Sequence, residues 1–344
     1  MPRRLPLPLI AALAVGCASG EDAPDVAAGE RTPAAVAGAA ATIRADEVVA
    51  RIGVMAHDSM RGRRTPSPEL DAVAEWIGAE FAAMGLEPAG DDGTWIQRYP
   101  LPNGEDATAP NVVGLLRGSD PVLREEYVVY SAHMDHVGVR ANETGDSIFN
   151  GADDDASGTA TVMEIAEAMA SLDVPPRRSV LFVLVSGEER GLWGSAHFAD
   201  QPPVPVESMV ANLNADMVGR NWTDTIVAIG KEHSSLGETL ARVNEAHPEL
   251  GMTAIDDLWP DERFYFRSDH FNFARRGVPI LFFFNGTHED YHRPSDEVEL
   301  IDGEKTARIG RLLFYLGLDI ADADERPAWD PESYQQIVEE TDPE

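Results

Sequence analysis

Cysteine, lysine and positive charge in general are scarce in this 344-residue sequence. Cys17 is the only cysteine, which excludes an intramolecular disulfide and a metal site built from several thiolates. Lys231 and Lys305 are the only lysines, and 27 basic residues stand against 60 acidic ones, for a net charge of −33. A surface with this charge repels nucleic acid and anionic lipid, so neither is expected as a partner.

The N-terminal segment differs from the rest of the chain. Arg3 and Arg4 precede an apolar stretch, Leu5–Val15, which is too short to span a bilayer but has the charge order of a secretory signal. Cys17 follows closely, which resembles a bacterial lipoprotein signal whose cysteine becomes the acylated first residue. We therefore predict a signal peptide over residues 1–17, with membrane contact only through a lipid anchor at Cys17. Since Asp is absent from position 18, we expect an outer-membrane lipoprotein facing the periplasm or the cell surface; a periplasmic or secreted protein is the alternative.

Composition divides the remaining chain into three parts. Residues 18–42 are rich in Ala, Gly, Pro and acidic residues and have almost no large apolar side chains, so we predict a flexible linker. Residues 43–323 have the patterning of one globular domain. Residues 324–344 are acidic and contain Pro327 and Pro331, so we predict a loosely ordered tail.

Helical and strand patterns alternate within residues 43–323. Apolar residues recur at helical spacing from Leu70 to Met84, which predicts an amphipathic helix. Further helices are expected over 156–172, near 190–199, 235–246, 268–276 and 303–322, and strands over 111–116, 127–132, 179–186, 209–215, 225–230 and 279–285. This alternation predicts an α/β fold, a three-layer αβα sandwich with a mostly parallel mixed sheet.

Five short clusters of acidic residues and histidines occur in order along this domain. They are SAHMDH (131–136), NGADDDASG (150–158), SGEERG (186–191), NADMVG (214–219) and YHRPSDE (291–297). Sites in open α/β sheets form beyond the carboxyl ends of the strands, and four of the clusters follow predicted strands. Carboxylates gathered there are costly to desolvate unless cations compensate them, and a pair of divalent metal ions would do so. The series therefore predicts a two-metal hydrolase.

The first two clusters have the residue types of a metal ligand, its orienting partner and a bridge. His133 and Asp135 have the spacing of a metal-bound imidazole that a carboxylate orients. We interpret His136 as a structural neighbour. One of the three aspartates at 153–155 can bridge two metal ions, while the others cap the following helix or accept hydrogen bonds from backbone N–H groups.

The remaining clusters supply a base and further ligands. The side chains of Glu188 and Glu189 point in different directions, so one can bind metal while the other acts as a general base for the attacking water. Asp216 and His292 would complete two sets of ligands. Because these sets contain oxygen and nitrogen but no sulfur, they suit Zn²⁺, with Mn²⁺ or Co²⁺ as substitutes.

One apparent motif is misleading. The segment HEDYH at 288–292 matches the zincin pattern, which requires both histidines on one face of a helix. Gly286 and Pro294 flank it and no apolar periodicity supports a helix. We therefore keep His292 as a ligand and interpret His288 as a neighbour.

The five clusters, in this order, resemble those of metallopeptidase family 28, the dizinc aminopeptidases related to bacterial leucyl aminopeptidases. The resemblance covers about residues 45–322 and implies a zinc-exopeptidase fold with two Zn²⁺ ions. Carried over by position, it implies that His133 and Asp216 bind one ion and that Glu189 and His292 bind the other. Asp154 would bridge the two.

The same resemblance implies the remaining roles. Glu188 matches the general base, and Asp135 matches the residue that orients His133. Tyr265, in the segment FYFRSDH (264–270), matches a tyrosine that helps to stabilise the oxyanion; a packed core aromatic is the alternative. The family also has a cis peptide bond after the bridging carboxylate, which would lie between Asp154 and Asp155.

The expected function is a secreted zinc-dependent exopeptidase, an aminopeptidase that hydrolyses N-terminal residues from peptides. A carboxypeptidase or dipeptidase on the same site is the nearest alternative, because the metal ligands do not decide which terminus of the peptide is anchored. A glutaminyl cyclase, which would use one zinc ion, and an inactive binding module are further candidates.

Overall fold

The structure of the protein is a computed structural model that describes residues 31–141 and 145–340. The predicted signal peptide, its Cys17 and most of the predicted linker lie outside the described residues. Within those two ranges, no helix combines the length and the apolar character that crossing a membrane requires.

Strands make up the centre of the domain. The described residues form β1 (Glu87–Pro88), β2 (Ile96–Pro100), β3 (Thr108–Leu116), β4 (Tyr127–His133), β5 (Gly138–Val139), β6 (Ile148–Phe149), β7 (Ser179–Val185), β8 (Met209–Asp216), β9 (Thr225–Ile229), β10 (Thr253–Ile255) and β11 (Ile280–Phe284). Nine of these form one sheet in the order β1-β3-β7-β4-β8-β11-β9-β10, with β2 also paired to β3, while β5 and β6 pair separately.

Four neighbouring strands at the centre of the sheet are parallel. These are β7, β4, β8 and β11, and antiparallel strands flank them on both sides. In register, His133 lies beside Val185, and Asp216 lies beside Phe284. The carboxyl ends of the four strands therefore meet at one edge, and the predicted mostly parallel mixed sheet is confirmed.

Helices cover both faces of the sheet. They are α1 (Pro33–Ala40), α2 (Ala45–Met55), α3 (Pro68–Met84), α4 (Gly158–Ala170), α5 (Trp193–Asp200), α6 (Leu236–Ala246), α7 (His270–Ala274), α8 (Gly303–Asp322) and α9 (Pro331–Tyr334). In β7, Val180, Phe182 and Leu184 join the core beneath α2, α3, α4, α6 and α8. The alternate residues of β7 join a second core with α5 and α7. The three-layer αβα sandwich is therefore confirmed.

Part of the segment predicted to be a flexible linker is helical. Pro33 occupies the first position of α1, and the Thr32 hydroxyl accepts a hydrogen bond from the backbone N–H of Ala35 at 3.2 Å. Ala39 and Ala40 are buried in the first core. The prediction is wrong for residues 33–40, because alanine has a high helix propensity and its small side chain fits closely against α4 and α8.

The acidic tail also departs from the prediction over residues 329–339. Residues 331–339 are helical, and Ile337 is buried in the second core. The indole N–H of Trp329 donates a hydrogen bond to the carbonyl of Gly277 at 2.9 Å. The average composition of the segment is acidic and gives no sign of these few apolar side chains. They pack against the rest of the domain only in the folded chain.

Candidate metal centre

The parallel strands bring the predicted site residues to one edge of the sheet. His133 is the last residue of β4, and Asp216 is the last residue of β8. Glu188 and Glu189 follow shortly after β7, and the loop after β11 carries His292. Residues from four separate stretches of sequence therefore lie close together.

Asp154 lies at the middle of this group. Its Oδ1 is 3.3 Å from His133 Nε2, and its Oδ2 is 3.0 Å from His292 Nε2. The peptide bond between Asp154 and Asp155 is cis, as the family resemblance implied. One carboxylate thus faces two imidazoles, one at the end of β4 and the other in the loop after β11.

Two sets of potential metal-binding atoms share Asp154. In one set are His133, Asp154 and Asp216; in the other are His136, Asp154, Glu189 and His292, each set with its atoms within 4.8 Å of one another. Glu189 Oε1 lies 3.0 Å from His292 Nε2 and 2.9 Å from His136 Nδ1. All five predicted ligands fall into these sets, and His136, which was interpreted as a structural neighbour, joins the second.

The other two aspartates of the triplet face the backbone. Asp155 Oδ1 accepts hydrogen bonds from the N–H groups of Gly158 at 2.8 Å and Met217 at 3.0 Å. Asp153 Oδ1 accepts one from the N–H of Gly219 at 2.6 Å. These bonds tie the start of α4 to the end of β8, so the middle aspartate alone is turned towards the centre.

Asp135 and Glu188 lie beside the two sets without belonging to either. The Asp135 carboxylate accepts hydrogen bonds from the Thr65 hydroxyl at 2.8 Å and from the N–H of Glu188 at 3.3 Å. His133 Nδ1 is 3.2 Å from the Asp135 carbonyl and 3.7 Å from its carboxylate. Burial raises the pKa of the Glu188 carboxyl well above its usual value, and the Asp269 carboxylate adds to this effect.

The donor atoms of the centre fit a bound divalent cation. Asp154 Oδ2, Glu189 Oε1 and both ring nitrogens of His136 are buried, and none of these atoms forms a well-formed hydrogen bond with a described residue. Burial opposes protonation of His292, but Asp154 and Glu189 outweigh it and raise the pKa of the imidazole to about 10. Several buried carboxylates so close together need a positive charge to compensate them. The oxygen and nitrogen donors of this centre, which include no thiolate, suit Zn²⁺.

The HEDYH segment forms turns rather than a helix. His288 Nε2 lies 3.2 Å from Asp153 Oδ2, behind the metal centre, and belongs to neither ligand set. The rejection of the zincin pattern is therefore confirmed.

A pocket next to the centre has one polar and one largely aromatic side. It is lined by His133, Asp154, Glu188, Asp216, Met217, Phe264, Arg267, Ser268, Phe282, Phe284, Thr287 and Tyr291. The Ser268 hydroxyl donates a hydrogen bond to Asp216 Oδ2 at 2.9 Å and so holds that carboxylate in place.

Tyr265 does not reach this pocket. Its ring packs edge-on against His233, with the centroids 4.6 Å apart, and its buried hydroxyl has no hydrogen-bond partner in the described part of the chain. Tyr291, which the sequence reasoning passed over, lines the pocket, and its ring stacks on His292 at 3.9 Å. The expectation for Tyr265 is corrected: a packed core aromatic describes it, because the side chain turns into the second core.

The comparison with protein families agrees with this arrangement of residues. A profile of peptidase family M28 matches residues 111–317, a range that includes every predicted metal ligand. The chain belongs to peptidase family M28.

Sequence relatives of this M28 chain include metallopeptidases. It is 28% identical over 286 residues to a probable zinc metalloprotease of Leptosphaeria maculans, covering 71% of this chain and 65% of that protein. It is 27% identical over 216 residues to aminopeptidase YwaD of Bacillus subtilis, covering 60% of this chain and 43% of that protein. The chain thus spans less than two thirds of the length of these relatives.

Solved structures share the M28 chain's fold. The LapA aminopeptidase of Legionella pneumophila matches with a TM-score of 0.67 and 24% identity, over 92% of this chain and 81% of that one. A glutaminyl cyclase of Porphyromonas gingivalis matches with a TM-score of 0.64 and 18% identity, over 79% of this chain and 96% of that one. Because both proteins have the same fold, the function has to be argued from the site.

Proposed function

We propose that this protein is an exported dizinc aminopeptidase that hydrolyses N-terminal residues from peptides. The observation that carries the proposal is the position of Asp154, whose two oxygens face His133 on one side and His292 on the other. A shared carboxylate between two ligand sets is the arrangement that a two-metal hydrolase requires.

The chain's residues divide between two metal sites in this proposal. His133 and Asp216 would hold one Zn²⁺, Glu189 and His292 would hold the other, and Asp154 would be shared between them; Mn²⁺ or Co²⁺ would fit the same donors. When bound, the two ions lower the pKa of a water molecule and polarise the carbonyl of the scissile bond. Asp135 orients the His133 ring from behind.

Glu188 is the proposed general base. It lines the pocket, belongs to neither ligand set, and burial raises the pKa of its carboxyl group. A raised pKa suits a group that takes a proton from the attacking water and then passes it to the leaving amine.

The pocket favours an amino terminus with an apolar side chain. Glu188, the pocket carboxyl group that belongs to neither ligand set, lies where the ammonium group of a peptide can approach it, while Phe264 and Phe282 line the wall with aromatic surface. This combination supports an aminopeptidase over a carboxypeptidase that would anchor its substrate only by the carboxyl end.

Substrates with free and blocked N-termini test the proposal directly. The zinc-loaded protein is expected to hydrolyse leucine p-nitroanilide and to leave its N-acetyl derivative intact. Activity on the blocked substrate alone would overturn the aminopeptidase assignment. Metal analysis distinguishes the hydrolase from a glutaminyl cyclase and from an inactive binding module, since these three functions predict two, one and no zinc ions per chain, respectively.

We expect Tyr291→Phe to lower kcat on leucine p-nitroanilide by about tenfold to a hundredfold, with little change in zinc content. The reason is that Tyr291 lines the pocket and stacks on His292, so we expect its hydroxyl group to stabilise the oxyanion. Tyr265→Phe is the matched control, because that hydroxyl lies in the second core and should leave kcat within about twofold. A larger loss of kcat in Tyr265→Phe than in Tyr291→Phe would instead assign the oxyanion role to Tyr265.

Export and a lipid anchor at Cys17 belong to the same proposal and rest on the N-terminal sequence alone. In a bacterial host, processing of the precursor is expected to be blocked by globomycin, and Cys17→Ala is expected to release the protein from the membrane fraction. A Cys17→Ala protein that stays in the membrane would contradict the anchor.

A further inference from the structure

A second hollow touches the metal centre on the side of the other ligand set. It reaches the centre at His136 and Glu189, whereas the aromatic pocket reaches it at His133, Asp154 and Asp216. Its wall carries three arginines, Arg64, Arg140 and Arg190, together with Val137 and Val139. A cationic hollow thus adjoins a centre that is otherwise rich in carboxylates.

These three arginines have no acidic partner in the described part of the chain. None of them forms an ion pair there, and the Arg64 guanidinium makes no hydrogen bond to any described residue. The Arg190 guanidinium lies 5.1 Å from the Trp193 ring, and that of Arg140 lies 5.9 Å from the Phe149 ring. Three arginines gathered in one hollow without an ion pair among the described residues form a place that suits an anion.

Rigid neighbours hold two of these arginines in position. Arg64 follows Arg63, whose buried guanidinium donates hydrogen bonds to the carbonyls of Met134 at 2.9 Å and Met55 at 2.8 Å. Arg190 directly follows Glu189, and its guanidinium lies over the Trp193 ring. Arg64 and Arg140 are exposed and Arg190 is half-buried, so all three guanidinium groups are accessible to a ligand that enters the hollow.

We propose that this hollow binds the C-terminal carboxylate of a short peptide whose N-terminal residue occupies the aromatic pocket. The inference rests on the proposed aminopeptidase function and names its substrate class: di- or tripeptides with a free carboxyl end. The peptide would span the metal centre with its ammonium group near the carboxylates of the first pocket and its carboxylate near Arg64, Arg140 and Arg190. Paired guanidinium–carboxylate hydrogen bonds are strong and directional, so they would select for chain length.

Matched free acids and amides test this selection. The wild-type enzyme is expected to cleave Leu-Ala or Leu-Ala-Ala with a kcat/KM about tenfold or more above that of the corresponding C-terminal amide, mainly through KM. Replacing Arg64, Arg140 and Arg190 together by Gln should bring the acid-to-amide ratio close to one and leave the amide rates within about twofold. Equal rates for acid and amide at both lengths, or a ratio that survives in the triple variant, would overturn the proposal.

The variant Arg117→Gln is the control for the loss of positive charge. Arg117 is exposed, forms an ion pair with Glu87 at 3.1 Å and lines neither pocket. It should keep the full acid-to-amide ratio. The single variant Arg190→Gln removes the same amount of charge and should lower the acid-to-amide ratio. If Arg117→Gln lowers that ratio equally, the effect is one of net charge alone and counts against the site.

Binding separates this inference from the proposed function. Titration calorimetry on the zinc-loaded Glu188→Gln protein should give a Kd for Leu-Ala or Leu-Ala-Ala about tenfold lower than for its amide, and the triple arginine change should remove the difference. If the wild-type protein cleaves neither peptide but the free acid still binds more tightly, the function fails and the carboxylate site stands. If acid and amide bind equally to an active enzyme, the carboxylate site fails alone.

Discussion

Replacing Glu188 by Ala is expected to lower kcat on leucine p-nitroanilide by about 10³–10⁴-fold, while zinc content stays at the wild-type level. The residue lines the pocket but belongs to neither set of metal-binding atoms, so its loss removes a proton acceptor and leaves the ligands in place. Steady-state kinetics and metal analysis on the same preparation measure the two effects.

The adjacent residue provides the matched control. Glu189 Oε1 lies 3.0 Å from His292 Nε2, so Glu189→Ala is expected to lose metal as well as activity. Near-wild-type turnover by Glu188→Ala would remove it from the mechanism. Loss of zinc from Glu188→Ala would instead make Glu188 a ligand.

Asp154→Asn is the second change with a very large expected effect. Because Asp154 is the one residue common to both ligand sets, its replacement should weaken both metal sites at once and abolish measurable hydrolysis. Asp216 belongs to one set alone, so Asp216→Asn is expected to keep about one zinc ion per chain. Metal analysis after dialysis, with circular dichroism to check folding, measures the difference.

Equal metal losses in these two variants would contradict a shared carboxylate. Retention of two zinc ions by Asp154→Asn would move the bridge to another residue. The variant His288→Asn extends the test. Because His288 belongs to neither ligand set, this variant should retain both zinc ions.

Most of the fold was predictable because its strands are strongly patterned. The apolar run at 179–186 appears as β7 (Ser179–Val185), and the pattern at 303–322 appears as α8 over the same residues. Where composition was averaged over a segment, the prediction failed: residues 33–40 pack through a few alanines, and residues 329–339 pack through Trp329 and Ile337. Averages conceal contacts that a handful of side chains make.

Site residues at the ends of strands could be predicted from the sequence. Site residues whose place depends on the direction of a loop side chain could not. His133 and Asp216 end adjacent parallel strands, so their proximity follows from topology alone. The structure adds His136 and Tyr291 to the site and removes Tyr265 from it. Loop conformations decide these three positions, and loops lack the periodic pattern of apolar residues from which strands and helices are predicted. His292, for example, has a positive φ of 55°, in the turn that also contains Tyr291.

The amino-acid sequence alone predicted the fold class and the family. It also predicted which residue types gather at the edge where the parallel strands end. Those properties follow from local patterns, which repeat apolar residues along strands and place carboxylates and histidines just beyond them. The folded chain was needed to establish that Asp154 faces both ligand sets, that Tyr291 lines the pocket, and that three arginines separated by up to 126 positions in the chain share one hollow. Such relations depend on how loops from distant parts of the sequence turn against one another, and no short pattern encodes that.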